Sequence, residues 1–427
     1  MKPAAQASRY EVFAGATGSI GAQTLQVLSD NRERFDLVAL AVGRESDASR
    51  KLAADHPSAR FFVGLSGEQL SDAILSTTPD LVVAAATGLV GIHTTIAALD
   101  AGAAVAIANK ETIVAGGEMV IGAARRAATR SGTSILERLR PVDSEHSALW
   151  QCLAGESPER VERLWLTASG GPFRTWDASR IASATADDAL NHPTWKMGGK
   201  ITIDSASLVN KGLEVIEAHR LFEVPMERIS ILVHPQSILH GAVSFTDGSM
   251  KGQMGEPDMR VPISYALNYP ERSAHPARSV DLAAAGGLTF EAPDLVRFPG
   301  LAVALAAGER GGAAPAALIV ADDVRRELPR ERDQFGVGHD VVDQSERERL
   351  VGEHGRDPVA QGVPGHLREC NGVVVAGPAR HGIEDSLDVA DVDHDGAWEV
   401  AIGAPGAIGI GGFKSGAVVV RSLSQDD

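Results

Sequence analysis

Between Asn191 and Glu214 the chain reads NHPTWKMGGKITIDSASLVNKGLE, a run in which few residues are of types that serve packing. The His192-Pro-x-Trp195 stretch with Met197 and the pair Gly198-Gly199 predicts a covering loop whose apolar side chains would exclude water from a reaction beneath it. A polar strand end and the start of a helix are expected to follow. Along them Asp204, Ser205, Ser207, Asn210, Lys211 and Glu214 offer donors and acceptors to an anionic, oxygen-rich ligand such as a small phosphorylated polyol.

A second cluster is PVDSEHS, Pro141 to Ser147. Read as an extended segment, it places Asp143 and Glu145 on one face with Ser144 turned away. Two carboxylates on one face suit a hard cation, Mg²⁺ or Mn²⁺; zinc and copper are disfavoured because thiolates and a paired-His spacing are missing. Glu214 is the candidate third ligand. The run VNKGLEVIEAHRLF has Leu213, Ile216 and Leu221 at helical spacing, so Asn210 and Glu214, four apart, share a face. The same run offers a metal-free reading in which Glu214 simply pairs with Lys211. Glu217 and Glu223 have no such partner set and read as surface residues. TASGG, Thr167 to Gly171, places Ser169 in a glycine-rich turn whose amides can take a phosphate, and ANKE puts Asn109, Lys110 and Glu111 directly after the apolar AVAIA.

Positioning these groups requires a scaffold, and the first 115 residues supply its pattern. Tyr10 to Ala14 reads as a strand ending in GATGSIG, AQTLQVLSDN as a helix, and FDLVALAVG as the next strand; LVVAAA (Leu81 to Ala86) and AVAIA (Ala104 to Ala108) flank the helical IHTTIAALDAG. That alternation predicts an α/β fold, a doubly wound parallel sheet whose ligands sit at the carboxyl ends of the strands. Gly15, Gly18 and Gly21 allow a tight turn and close approach of a pyrophosphate, although a GxxGxxG spacing also fits an ordinary strand-to-helix turn. The second strand ends in Gly43-Arg44, and a guanidinium where NAD sites carry a carboxylate suits a 2′-phosphate, hence NADPH.

Composition narrows the class. The formal charge of −16 argues against nucleic acid. Two cysteines, Cys152 and Cys370, build neither a disulfide framework nor a Cys-rich zinc site. The amino-terminal MKPAAQASRYEVF lacks an apolar signal core, and a cytoplasmic location without membrane contact is expected. From Leu318 onward 21 acidic side chains face 11 basic ones, which marks a boundary near residue 320 and a charged, poorly patterned segment beyond it.

Taken together, GATGSIG, ANKE, PVDSEHSA, TASGGPF, HPTWKMGGKITIDSASLVNKGLE, HPQSILH and GEPDMRVPISYAL, in this order, resemble the 1-deoxy-D-xylulose 5-phosphate reductoisomerases over roughly residues 10–317. The resemblance implies an NADPH- and divalent-metal-dependent enzyme of non-mevalonate isoprenoid synthesis. Such an enzyme isomerises the ketose phosphate and reduces the branched aldehyde to 2-C-methyl-D-erythritol 4-phosphate. It implies cofactor contacts at Thr17, Gly18, Ser19, Ile20, Gly43, Arg44, Asn109, Glu111 and Gly198, with Glu45 standing where an Asn is usual. Substrate contacts fall at Lys110, Ser144, Glu145, Ser169, His192, Ser205, Asn210, Lys211 and Glu214, of which Ser169, Ser205, Asn210 and Lys211 would grip the phosphate. Asp143, Glu145 and Glu214 would hold the metal, Lys110, Asp143, Glu145, His192 and Glu214 would form the catalytic set, and a homodimer is expected. The domains would be a Rossmann-like NADPH domain (1–136), an α/β catalytic domain (137–275), a linker with a remnant of a helical domain (276–320), a charged segment (321–369) and a tail (370–427).

Two departures bear on activity. Glu137 to Arg140, ERLR, intervenes between Ile135-Leu136 and Pro141-Val142, so either the four residues loop out or they shift Asp143 and Glu145. Beyond Leu318 the helical domain of the family reads as truncated, replaced or frame-altered. In the tail, Asp391, Asp393, Asp395 and Glu399 with Gly396 follow a Ca²⁺-loop pattern that resembles an FG-GAP repeat of integrin-type β-propellers. The competing readings are therefore an active reductoisomerase, an impaired chimera carrying a calcium-binding tail, and a metal-independent dehydrogenase.

Overall fold

The structure, a computed structural model, describes residues 16–191, 193, 198–273 and 277–321; residues 8–13, Lys200 and three later strands are described by backbone alone. The chain divides into two compact units, Met1–Val320 and Ala321–Asp427.

The first unit opens with alternating strands and helices: β1 (Ser8–Phe13), α1 (Ser19–Asp30), β2 (Phe35–Val42), α2 (Asp47–Asp55), β3 (Arg60–Val63), α3 (Gly67–Leu75), β4 (Leu81–Ala84), α4 (Gly91–Asp100), β5 (Ala104–Ile107), α5 (Lys110–Ser131), α6 (Ile135–Arg138) and β6 (Leu139–Pro141). The six strands lie in the order β3-β2-β1-β4-β5-β6, every neighbouring pair parallel. Apolar strands such as LVVA and AVAI are buried along their whole length, as strands covered by helices on both faces must be. Two apolar clusters cover the faces, one around Leu99, Ile113 and Ile121, the other around Leu40, Val83 and Trp150.

β6 resolves the four extra residues. Ile135 to Arg138 coil into a helical turn in which Ser134 and Glu137 cap one another. Leu139-Arg140-Pro141 then take the strand position beside β5, Leu139 fully buried. Of the two alternatives for ERLR, the ligands are not shifted apart, yet the four residues form no loop of their own: Glu137 and Arg138 close the helical turn and Leu139-Arg140 enter the strand. The extra length precedes the strand, because a capping box starts a helix while Leu139 is the apolar residue that fits the sheet. Although it lies beyond residue 136, β6 completes the first sheet. Arg140 fastens it by donating from Nη1 to the Ala266 carbonyl at 2.8 Å.

The chain continues through α7 (Ser144–Leu153), β7 (Val161–Ala168), α8 (Ala178–Ala182), α9 (Ala186–Leu190), α10 (Gly199–Ala206), α11 (Val209–Phe222), β8 (Ile229–Val233), β9 (Leu239–Phe245), β10 (Met250–Met254), α12 (Arg260–Asn268), α13 (Leu282–Ala285) and α14 (Pro299–Arg310). A second sheet has the order β10-β9-β7-β8. Residues 199–206, read above as a polar strand end, are helical: Thr202 N donates to Gly198 O at 3.1 Å. Leu208 at φ 59° then breaks the chain so that α11 starts afresh. The alternating ITID pattern looks like a strand, yet it pairs with none of the described strands, and Thr202, Asp204 and Ala206 are buried from a helix.

Helical support does continue past residue 276. α14 packs on α11 so closely that a Cβ on Gly212 would lie 2.3 Å from Ala304 Cβ, and residues 314–320 are helical, with Ile319 buried beside Val114, Leu213 and Ile216. In the second unit, β11 (Leu387–Ala390), β12 (Glu399–Ile402) and β13 (Val418–Arg421) form an antiparallel sheet in sequence order. Asp391, Asp393 and Asp395 lie outside the described residues. Among the described residues no helix is long and apolar enough to cross a membrane.

Candidate active site

Three helix starts converge on one cluster. Asn109 caps α5, its Oδ1 accepting from Thr112 N at 2.9 Å while its Nδ2 donates to the Ala86 and Gly88 carbonyls. That sets Lys110 at the first position of α5. Asp143 caps α7, its Oδ1 accepting from the backbone N–H of Glu145, two residues on, at 3.3 Å. The cap side chain thus folds back over the first turn, and this brings the two carboxylates together. The extended reading is corrected, since Asp143 is a strong N-cap and ends the strand pairing. From α11 come Asn210, Lys211 and Glu214.

Lys110 Nζ reaches Asp143 Oδ2 at 3.3 Å and Glu214 Oε1 at 3.4 Å, and also donates to Asn210 Oδ1. Lys211 Nζ lies 2.8 Å from Glu145 Oε1 and 2.5 Å from Glu214 Oε2. Asn210 Nδ2 donates to Glu214 Oε1 at 2.5 Å, the contact expected of residues four apart, and the Glu214–Lys211 pair is present beside it. Ser144 Oγ donates to Glu145 Oε2. Burial would lower Lys110 and Lys211, but the surrounding carboxylates outweigh it and raise both. Asp143 resists the upward push of burial because Lys110 and His146 hold it well below the usual carboxylate range. Glu145 is pushed up to about 7 by burial, against Lys211, with Glu214 and Asp143 adding to the rise.

Oxygen atoms of Asp143, Glu145 and Glu214 lie within 4.8 Å of one another. The donor set of this group is all oxygen, which matches a hard divalent cation. The residues fit such an ion.

Behind this group sits a layer the sequence reading missed. Glu217, expected at the surface, is 1% exposed, and this is a correction. It lies three residues after Glu214, hence on the same helical face, and that spacing was the available signal. His146, fully buried, turns Nδ1 toward Asp143 Oδ1 at 3.4 Å and Glu217 Oε2 at 3.7 Å, while Nε2 meets the Glu214 carbonyl at 2.9 Å. Burial opposes protonation of His146, but the carboxylates of Glu217 and Asp143 raise it to about 9; burial likewise lifts Glu217 to about 7 against the pull of His146. Glu223 is exposed and paired with Arg125 at 2.8 Å, as a surface residue should be.

Ser169 lies in the turn after β7, where Gly170 and Gly171 take φ of 88° and 67°. A Cβ on Gly171 would come within 2.6 Å of the Ser205 carbonyl, so glycine there lets the Ser169 turn close on α10. Ser169, Ser205, Asn210 and Lys211 thus come from adjoining elements. His192, Trp195 and Met197 fall outside the described residues, and Gly198 caps α10.

At the carboxyl ends of β1 and β2 an open cavity of about 480 Å³ is lined by Thr17, Gly43, Arg44, Ser46 and Ala48. Gly18 caps α1 and Ser19 begins it; Ile20 packs against the core cluster of that face. Glu45 points to Arg50, Oε1 to Nη1 at 3.0 Å. Asn109 and Glu111 are buried at the end of β5.

A doubly wound domain with a cavity bearing Arg44 at the carboxyl ends of β1 and β2, followed by a buried cluster of carboxylates, defines a dinucleotide-linked, metal-assisted enzyme. Three family models match in agreement. The 1-deoxy-D-xylulose 5-phosphate reductoisomerase model matches residues 12–64 and 50–117, its C-terminal-domain model residues 139–222, and a further DXP reductoisomerase C-terminal-domain model residues 254–329. The chain is 47% identical over 341 residues to the 1-deoxy-D-xylulose 5-phosphate reductoisomerase of Pelotomaculum thermopropionicum, covering 74% of this chain and 85% of that one. To the enzyme of that name from Desulfitobacterium hafniense it is 42% identical over 368 residues, 79% and 94% of the two chains. Among solved structures, a DOX-P reductoisomerase in complex with NADPH, fosmidomycin and magnesium superposes with a TM-score of 0.65 at 34% identity, covering 75% of this chain and 84% of that one. The Zymomonas mobilis 1-deoxy-D-xylulose 5-phosphate reductoisomerase in complex with NADPH gives 0.62 at 34% identity over 81% and 96%. The chain belongs to the 1-deoxy-D-xylulose 5-phosphate reductoisomerase family.

Proposed function

We propose that this protein converts 1-deoxy-D-xylulose 5-phosphate to 2-C-methyl-D-erythritol 4-phosphate with NADPH and a divalent metal. The observation that carries the reading is the meeting of Asp143, Glu145 and Glu214 around Lys110 and Lys211 despite the extra residues before β6. One carbon–carbon bond of the substrate breaks and another forms, and the branched aldehyde then takes hydride from NADPH and a proton to become the alcohol. Magnesium, held by Asp143, Glu145 and Glu214, supplies a Lewis acid for the substrate's carbonyl and neighbouring hydroxyl oxygens; manganese has the same ligand preferences.

The remaining roles belong to the protein's own groups. Lys110, kept protonated by Asp143 and Glu214, donates to an anionic substrate oxygen, and Ser144 orients Glu145. Lys211 and Asn210 at the start of α11, with Ser169 and Ser205, grip the phosphate, for which the positive end of a helix adds favourable potential. His192 contacts substrate and Trp195 covers it. Thr17, Gly18, Ser19, Ile20, Gly43, Arg44 and Gly198 seat the cofactor, Arg44 at the 2′-phosphate. Glu45 is drawn to Arg50, and Asn109 acts by fixing the loop that follows β4. A cytoplasmic homodimer completes the reading.

The test is spectrophotometric NADPH oxidation with 1-deoxy-D-xylulose 5-phosphate and Mg²⁺, wild type beside Glu214→Gln. Turnover that needs metal and falls by at least about 100-fold in the variant is expected, since even outer-shell metal partners are worth 10–100-fold. Turnover that survives exhaustive chelation would establish the metal-independent alternative. For the tail we infer a Ca²⁺ loop at Asp391, Asp393, Asp395 and Glu399. Supporting it, β11 and β12 pair antiparallel with Ala390 opposite Glu399, and residues 391–398 join them. Absence of heat on titrating the full chain with millimolar Ca²⁺, its Mg²⁺ site already filled, removes that inference.

A further inference from the structure

α5 is not one helix. Gly117 sits at φ 44°, ψ −129°, inside a run whose other residues are helical, and the ladder of backbone hydrogen bonds cannot pass through such a residue. Residues 110–116 therefore form a short separate segment, and the carbonyls at its end need donors from elsewhere. Arg220 of α11 provides them: its Nη1 donates to the Ile113 and Val114 carbonyls, both at 2.7 Å. The guanidinium occupies the space a side chain at 117 would need, since a Cβ there would lie 2.6 Å from Nη1. No carboxylate forms an ion pair with Arg220 among the described residues; Glu118, next to the kink, turns to Arg125 at 2.7 Å.

The segment so capped begins with Lys110, and its other end is tied by Asn109 to the Ala86 and Gly88 carbonyls. Arg220 stands six residues beyond Glu214 on the helix that also carries Asn210 and Lys211. One guanidinium thus joins the segment bearing Lys110 to the helix bearing its partners.

We propose that Arg220, admitted by the kink at Gly117, is a positioning residue that sets Lys110 against Asp143, Asn210 and Glu214. The activity arm of its test rests on the reductoisomerase reading, whereas the structural arms do not, so the two fail separately. Arg220→Met in the full chain is expected to speed amide hydrogen exchange across residues 110–117 by about tenfold or more, leaving 118–131 near wild type. Acylation of the Lys110 amine by a small anhydride, followed by mass spectrometry, should rise with it. If turnover is present, kcat/KM should fall by about 10- to 100-fold, mostly in kcat, as for a group displaced by about 1 Å. Arg220→Lys, which keeps charge and a donor, should recover part of each loss. Gly117→Ala, strained by its positive φ and by contact with Nη1, should reproduce the Met variant. Wild-type exchange and labelling at 110–117 in both Arg220→Met and Gly117→Ala would overturn the proposal. So would a uniform acceleration over the whole of α5 with unchanged kcat/KM, which is what a merely structural residue produces.

Discussion

Gly212→Ala reports on whether α14 supports α11, the helix that carries Asn210, Lys211 and Glu214. The added methyl would sit 2.3 Å from Ala304 Cβ, about 1.1 Å short of the 3.4 Å at which ordinary contact begins. Neither carbon can swing aside, because each is fixed to its own backbone, so α11 and α14 must part. Overpacking of this kind costs about 1–3 kcal/mol, which for a unit spanning Met1–Val320 lowers Tm by roughly 1.5–4.5 °C. Lys211 precedes Gly212 and Glu214 follows two residues later, so parting the helices by about 1 Å also misplaces both and lowers kcat/KM by up to about 100-fold. The assay is a double-variant cycle by thermal unfolding and steady-state kinetics. Ala304→Gly removes the opposing methyl and should restore most of both losses in the double variant, giving a coupling energy of about 1–2 kcal/mol. Additive effects of the two substitutions, or a Gly212→Ala protein indistinguishable from wild type, would refute the close approach of the helices.

Further outcomes follow from the same geometry. Arg44→Glu should raise KM for NADPH by about 10- to 100-fold and improve use of NADH, because a carboxylate suits the ribose hydroxyls and repels a 2′-phosphate; an unchanged preference would place the phosphate elsewhere. Deleting Glu137 to Arg140 should abolish activity and lower Tm, since Leu139 is fully buried in β6 and Arg140 holds Ala266 O; gain of activity on deletion would contradict the strand assignment. Glu145, lifted to about 7 by burial in the metal-free protein, must lose its proton to bind Mg²⁺. Affinity should therefore rise about tenfold per pH unit up to about 7 and level off above it, with proton release seen by calorimetry in buffers of different ionisation heat. In the metal-free protein the same raised carboxyl favours folding below the unfolded value near 4.5, and that contribution is lost as pH climbs through about 7. A pH-independent affinity between 6 and 8 would contradict this.

Much of this was legible from residues alone. The βα alternation and the Asn210–Glu214 spacing are local or periodic features: strands and helices alternate through the first sheet, and Asn210 reaches Glu214 across one turn. Three readings changed on folding. The ITID run is helical and pairs with none of the described strands, the DSE carboxylates are brought together by a helix cap, and Ile135 to Arg138 absorb the additional residues as a helical turn. Each turned on what lies beside the segment, which a window along the chain does not contain.

Glu217 and Arg220 mark the division most clearly. Their sequence neighbours determine that both lie on α11 and at what angle, since helical geometry is local. Whether either meets water depends on α5, α7 and His146 arriving from residues about 70 to 110 positions earlier. By itself the sequence determined the chemistry available, carboxylates, ammoniums and the Arg44 guanidinium, along with the βα elements of the first sheet and the helix that carries Asn210, Lys211 and Glu214. Only the tertiary structure decided that Asp143, Glu145 and Glu214 meet, that Glu217 is buried behind them, and that a kinked α5 is capped from another helix, because each is a contact between segments distant in the chain.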